Sequence, residues 1–163
     1  MTADDRAGSA SNLSLSAQHS LLSTGETQTA SFVVGDVSLE LTAAPGAARL
    51  VVIAASSRDV FVVDPAALDA WARAIDRLVT LTPATMASER VEFRSPFLID
   101  REGRPSIAFE GLVGDGTVTY RMVVNGPESS GVSVVTAAET VRAIAEAASG
   151  AIVVARATPR GEV

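Results

Sequence analysis

Cysteine and lysine are both missing from this sequence of 163 residues. Without cysteine there can be no disulfide framework, no thiolate zinc site and no cysteine nucleophile. Without lysine, the phosphate-binding loop of the G-x-x-x-x-G-K-[ST] type and Schiff-base chemistry are closed as well. All 13 basic residues are therefore arginine, a pattern that reads as a GC-rich genome and carries no mechanism. Aromatic residues are scarce, at 4%. The longest apolar runs, such as LVVIAA at residues 50 to 55, fall far short of the ~18–20 residues a membrane-spanning helix needs. The start, MTADDRAGSASNLSLS, lacks the basic-then-apolar order of a secretion signal, so the expected location is the cytoplasm, with no transmembrane segment. The net charge of −6 argues against nucleic acid and anionic membrane as partners, because both call for clustered positive charge.

The chain does have enough apolar residues, 47%, for a core. A domain of this length buries roughly 70% of the surface its unfolded chain exposes. Residues 1–28 are polar and rich in Ser and Thr, with Leu13, Leu15, Leu21 and Leu22 to bury, and read as an N-terminal tail. Residues 29–157 read as one α+β domain of two similar halves, 29–81 and 89–150, followed by a strand over 151–157 and a C-terminal tail over 158–163. The strand signals of the first half are SFVVG, VSLELTAAP, ARLVVIAAS and DVFVVD, separated by Gly35-Asp36, Pro45-Gly46 and Ser57-Arg58-Asp59. Asp64 stands as an N-cap with Pro65 at the first helical position, and Leu68, Trp71, Ile75, Leu78 and Val79 follow at helical spacing.

The second half repeats this order, with RVEFRSPFLI, SIAFEGLVG, TVTYRMVVN and GVSVVT, and Asp115-Gly116 marks a hairpin. Thr136 with Glu139 predicts a capping box for a second helix that Gly150 stops, and AIVVARA reads as a last strand. The fold class expected is α+β, predominantly antiparallel, built from two tandem four-strand-plus-helix units (ββββα-ββββα) and a final short strand. VFVVDPAAL at residues 60–68 and VSVVTAAETV at 132–141 share the strand-into-helix turn, which points to an internal duplication.

In the second half Val118, Tyr120, Met122 and Val124 alternate with polar residues, so that sheet has one wet face. The first half is apolar on both faces of its strands. One helix covers one face, so the other must be buried by the second half, by the N-terminal leucines or by another protein chain. Val51, Ile53, Phe61 and Val63, together with Leu13, Leu15, Leu21 and Leu22, are the expected interface residues. The partner would be another protein chain, either a second copy or a larger complex.

Candidate chemistry is sparse. The single histidine, His19, sits in the polar tail among Gln18 and Ser20, with nothing in the sequence to hold it as a base. Asp64, Glu89, Glu92, Asp100, Glu102 and Glu110 form no recognisable carboxylate pair, and the DREGRP segment lacks the alternating acidic positions of a calcium loop. No G-x-S-x-G elbow and no strand followed by G-x-G-x-x-G occurs. The glycines of GLVGDGTVTY fall between strands and make a hairpin. No cofactor or metal is expected, nor catalysis, and the leading reading is a non-catalytic interaction or accessory subunit. An enzyme using Asp100, Glu102 and Glu110 is the remote alternative.

The tandem strand, strand, strand, strand, helix order over residues 30 to 150 resembles that of purine-rich-element-binding (PUR) repeats and Whirly-type single-strand binders. That resemblance implies a positively charged sheet face with aromatic stacking platforms, and so a second function, single-stranded nucleic-acid binding, in which Arg49, Arg94 and Arg121 would converge on one face. In this sequence Arg94 and Arg121 alternate with Glu92 and Glu110, and no motif residue of those families carries over.

Overall fold

The computed structural model describes residues 18–24, 27–81, 90–114, 116–129 and 131–157. Two antiparallel sheets, each followed in sequence by a helix, make an α+β fold of two repeated units. The first sheet runs in simple meander order through β1 (Gln18–Thr24), β2 (Thr27–Val34), β3 (Val37–Ala44), β4 (Ala47–Ala54) and β5 (Ser57–Val63), and α1 (Pro65–Leu78) follows. The second comprises β6 (Arg90–Arg94), β7 (Ile107–Gly114), β8 (Thr117–Val124) and β9 (Val132–Thr136), and α2 (Ala138–Ala155) follows.

Three expectations change. Part of the polar tail is a fifth strand: β1 pairs with β2 from Gln18 opposite Val33 to Thr24 opposite Thr27. Leu21 and Leu22 lie in it, opposite Ala30 and Thr29, while Leu13, Leu15 and the tail 158–163 lie outside the described residues. The last strand over 151–157 is not formed, because α2 runs through Gly150 to Ala155. Ala148, Ala151, Ile152 and Ala155 are all buried, a helical spacing that packing on the first sheet rewards more than the β propensity of AIVV favours a strand. The expected capping box is also absent. Ala137 is the N-cap of α2 with no side-chain bond, and Thr136 Oγ1 is buried without a partner in the described residues.

The helices do not simply close their own sheets. α2 lies across β2, β3 and β4 of the first sheet and against α1, and its end is tied down where Gly46 N–H donates to the Ala155 carbonyl at 2.8 Å. α1 reaches the second sheet through Trp71, whose Nε1–H donates to the Ile107 carbonyl at 3.1 Å and whose ring lies 6.1 Å from that of Phe109. A single core results, joining Phe32, Leu39, Leu50 and Phe61 to Phe109 and Met122 through Leu68, Ile75 and Ile144. It contains a small apolar void between Phe32, Leu41, Leu68, Trp71 and Ile144, with no polar group to orient a ligand.

The β4–β5 hairpin turns at Ala55-Ser56, two residues before the expected Ser57-Arg58-Asp59. Ala55 holds φ at 53°, in the left-handed region that a Cβ disfavours. Ser57 Oγ–H bonds the Ala54 carbonyl at 2.7 Å across the turn.

Two outcomes follow. Ala55→Gly removes the Cβ strain and is expected to raise stability by about 1 kcal/mol in denaturant unfolding; a loss of stability would contradict the strain. Residues 1–81 alone keep their sheet residues but lose the cover of α2, so this fragment should show no cooperative thermal transition, whereas a sharp one would mean that the halves fold independently.

Candidate functional site

Side chains opposite one another in an antiparallel pair share a face, so register decides what the first sheet presents. Leu50 faces Phe61 and Ala48 faces Val63, which puts Phe61 and Val63 on the inner face, both fully buried in the core. Val51 faces Val60, Ile53 faces Arg58 and Arg49 faces Val62 on the outer face. The four strand residues expected to form one interface therefore separate into two pairs. Val51 and Ile53 keep outward company with Val60 and Val62. Three outer residues are well exposed, Val33 at 43%, Ile53 at 41% and Val62 at 37%, while Val51 is buried at 4%. Glu40, Arg49 and Arg58 are the exposed charges of this face.

The outer face of the second sheet is organised about Glu110, which is buried. Its carboxylate accepts from Arg121 Nε at 2.9 Å and Nη2 at 2.6 Å on β8, and from Arg94 on β6. Burial pushes this carboxyl's pKa up, but the two guanidiniums outweigh it and hold the pKa below the ordinary glutamate value. Val91 and Val135, at 40% and 51% exposure, flank the triad. Arg94 and Arg121 thus share one face, and Arg49 lies on the other sheet. The three arginines do not converge, and Glu110 offsets one of the two charges that do.

Asp100 belongs to neither face. Its Oδ1 accepts the backbone N–H of Glu102 at 2.9 Å and of Arg104 at 2.8 Å, and its Oδ2 accepts Arg104 Nε at 2.9 Å. Desolvation raises its pKa, and these donors more than offset that, leaving it below the usual aspartate value. The turn it organises closes the edge of β5. Arg101 N–H donates to the Val62 carbonyl at 2.8 Å, Arg101 Nη2 to the Gly46 carbonyl at 3.1 Å, and its Nε to Asp64. The Arg104 guanidinium stands 5.5 Å over the Phe61 ring. The DREGRP segment is thus a clasp between the halves, and Asp64, at the N-cap position of α1 but without a cap bond, serves the same clasp. Glu102 points outward, its side chain 74% exposed.

A second clasp lies at the start of β5. Asp59, buried on the inner side, accepts the Glu128 N–H at 3.0 Å, and Ser57 Oγ meets Ser129 Oγ at 3.0 Å. Gly126 is needed there, since a Cβ would stand 2.6 Å from Asp59 Oδ2 and 2.8 Å from Phe61 Cζ. The Asp and Glu side chains with the strongest contacts are therefore spent on joining the halves or on the Glu110 triad. Among the described residues no group of His, Asp and Glu could hold a metal ion, and no helix is long and apolar enough to cross a membrane. His19 lies in β1, opposite Phe32. No protein-family model matches the chain, and no curated protein matches it.

Both carboxylates have lowered pKa values, so their stabilisation is complete above the unfolded values of about 3.8 and 4.5 and is lost as pH falls through the lower folded values. Asp100→Asn should cost about 1–3 kcal/mol at neutral pH. It should also flatten the acid limb of the stability–pH curve measured by denaturant titration. An unchanged acid limb would show that Asp100 does not carry the clasp.

Proposed function

We propose that this chain is a non-catalytic interaction or accessory subunit that docks onto another protein chain through the outer face of its first sheet. The supporting observation is the apolar stripe of Ile53, Val51, Val60 and Val62, with Val33 beside it, on a sheet face that neither helix covers. Apolar side chains grouped on one face are what a partner surface uses, and single scattered ones are not. The occupied carboxylates add to this reading, because Asp59, Asp100 and Glu110 each already have a structural partner. Single-stranded nucleic-acid binding has less support, since its arginines are divided between two sheets and partly neutralised.

The full chain is the protein to test, as a bait in native lysate and in light scattering. Ile53→Asp and Val62→Asp are expected to weaken association at least roughly tenfold, about 1.4 kcal/mol. Val135→Asp, on the second sheet, should leave it intact. A wild-type chain that neither self-associates nor retains a stoichiometric partner would overturn the proposal, and salt-sensitive affinity for single strands would favour the nucleic-acid reading.

A further inference from the structure

We infer that the outer face of the first sheet pairs with the same face of a second copy of this chain about a two-fold axis, an inference that rests on the interaction reading above. Three rows cross β3, β4 and β5 on this face: Ser38–Ile53–Arg58, Glu40–Val51–Val60 and Thr42–Arg49–Val62. Val51, already buried in the single chain, and the half-buried Val60 stand at the middle, and the opposite charges Glu40 and Arg49 stand diagonally to one another beside Val51. Glu40, Arg49 and Arg58 form no ion pair with any described residue.

A two-fold interface needs residue i of one copy to meet residue j of the other, and j to meet i. Strands stand about 4.8 Å apart and same-face neighbours about 6.7 Å apart along a strand, which fixes the layout of the face. An axis lying in the face parallel to the strands and passing through Val51 would bring Arg49 onto Arg49 of the second copy. One running diagonally, past Val51 toward Val60, carries Glu40 of each copy onto Arg49 of the other and brings Ile53 over the neighbourhood of Val62. Two symmetry-related ion pairs then flank an apolar centre, and the strands cross steeply, as in the orthogonal class of sheet packing. A sheet of five strands of seven to eight residues has a projected area on the order of 600 Å², of which this off-centre axis overlaps roughly 400 Å², about half of the roughly 800 Å² per partner of a standard interface and in the range of a weak, concentration-dependent dimer. Charge of both signs, placed for exchange across one diagonal, is the feature that selects a second copy as the partner.

Sedimentation and light scattering of the full chain over a range of concentrations test this. The expected mass is twice 16.7 kDa. Glu40→Arg and Arg49→Glu should each weaken the dimer at least roughly tenfold, and the double variant Glu40→Arg/Arg49→Glu should recover affinity to within about threefold of wild type. Circular dichroism confirms that each variant is folded. A dimer indifferent to both substitutions, or a double variant no better than the product of the singles, overturns the inference, as does a monomer at all concentrations. A monomer that becomes a dimer when residues 1–17 are deleted also overturns it for the full chain and assigns the face to those residues. If the chain is monomeric but retains a stoichiometric partner that Ile53→Asp releases, this inference fails and the interaction reading stands. If it is monomeric with no partner, both fail.

Discussion

The packing of α2 on the first sheet is the constraint from which the rest of the architecture follows. A helix formed at the end of the second unit buries Ala148, Ala151, Ile152 and Ala155 where the strands of the first unit need cover. α1 in turn reaches Ile107 and Phe109 of the second sheet through Trp71. Neither sheet is covered by its own helix alone, and the two halves share one core. Both sheets consequently keep their outer faces uncovered by helix.

The polar clasps work on the same problem from the edge. β5 would otherwise offer unpaired carbonyls at the boundary between the halves, which is an invitation to pairing with other chains. The Asp100 turn satisfies Val62 through Arg101 and approaches Val60 through Arg104, while Asp59 holds the backbone at Glu128. Carboxylates that look available for chemistry in the sequence are thereby committed to structure. Glu110 is the same case on the second sheet, where two cross-strand arginines make a buried negative charge tolerable. The charges left without a partner among the described residues include Glu40, Arg49 and Arg58, all three on the apolar outer face of the first sheet.

Much of the fold was legible because it is written in local patterns. Alternation along Val118–Val124, the helical spacing of Leu68, Trp71, Ile75 and Leu78, and Pro65 just inside a helix each depend on near neighbours in the chain. Where reading failed, a long-range contact had overruled a local signal. Gly150 and the β-branched residues after it look like a helix stop and a strand, yet the first sheet buries them as a helix. The polar segment around His19 looks like tail, yet β2 offers it an edge to pair with.

The candidate surface turned on the register of one hairpin. A turn at Ser57-Arg58-Asp59 would pair odd-numbered with odd-numbered residues and set Val51, Ile53, Phe61 and Val63 on one face. The actual turn at Ala55-Ser56 pairs odd with even and sends Phe61 and Val63 into the core, with Val60 and Val62 taking their place outside. Since strand side chains alternate with a period of two, a shift of register by an odd number of residues exchanges whole faces. No glycine or asparagine marks that turn, because Ala55 adopts the left-handed conformation instead. The sequence by itself determined the class, the repeated strand-and-helix order and the chemistries that are impossible without cysteine or lysine, since these depend on residue type and local periodicity. Only the tertiary structure decided which helix covers which sheet, which carboxylates are bound and which valines face outward, since each depends on contacts between residues far apart in the chain.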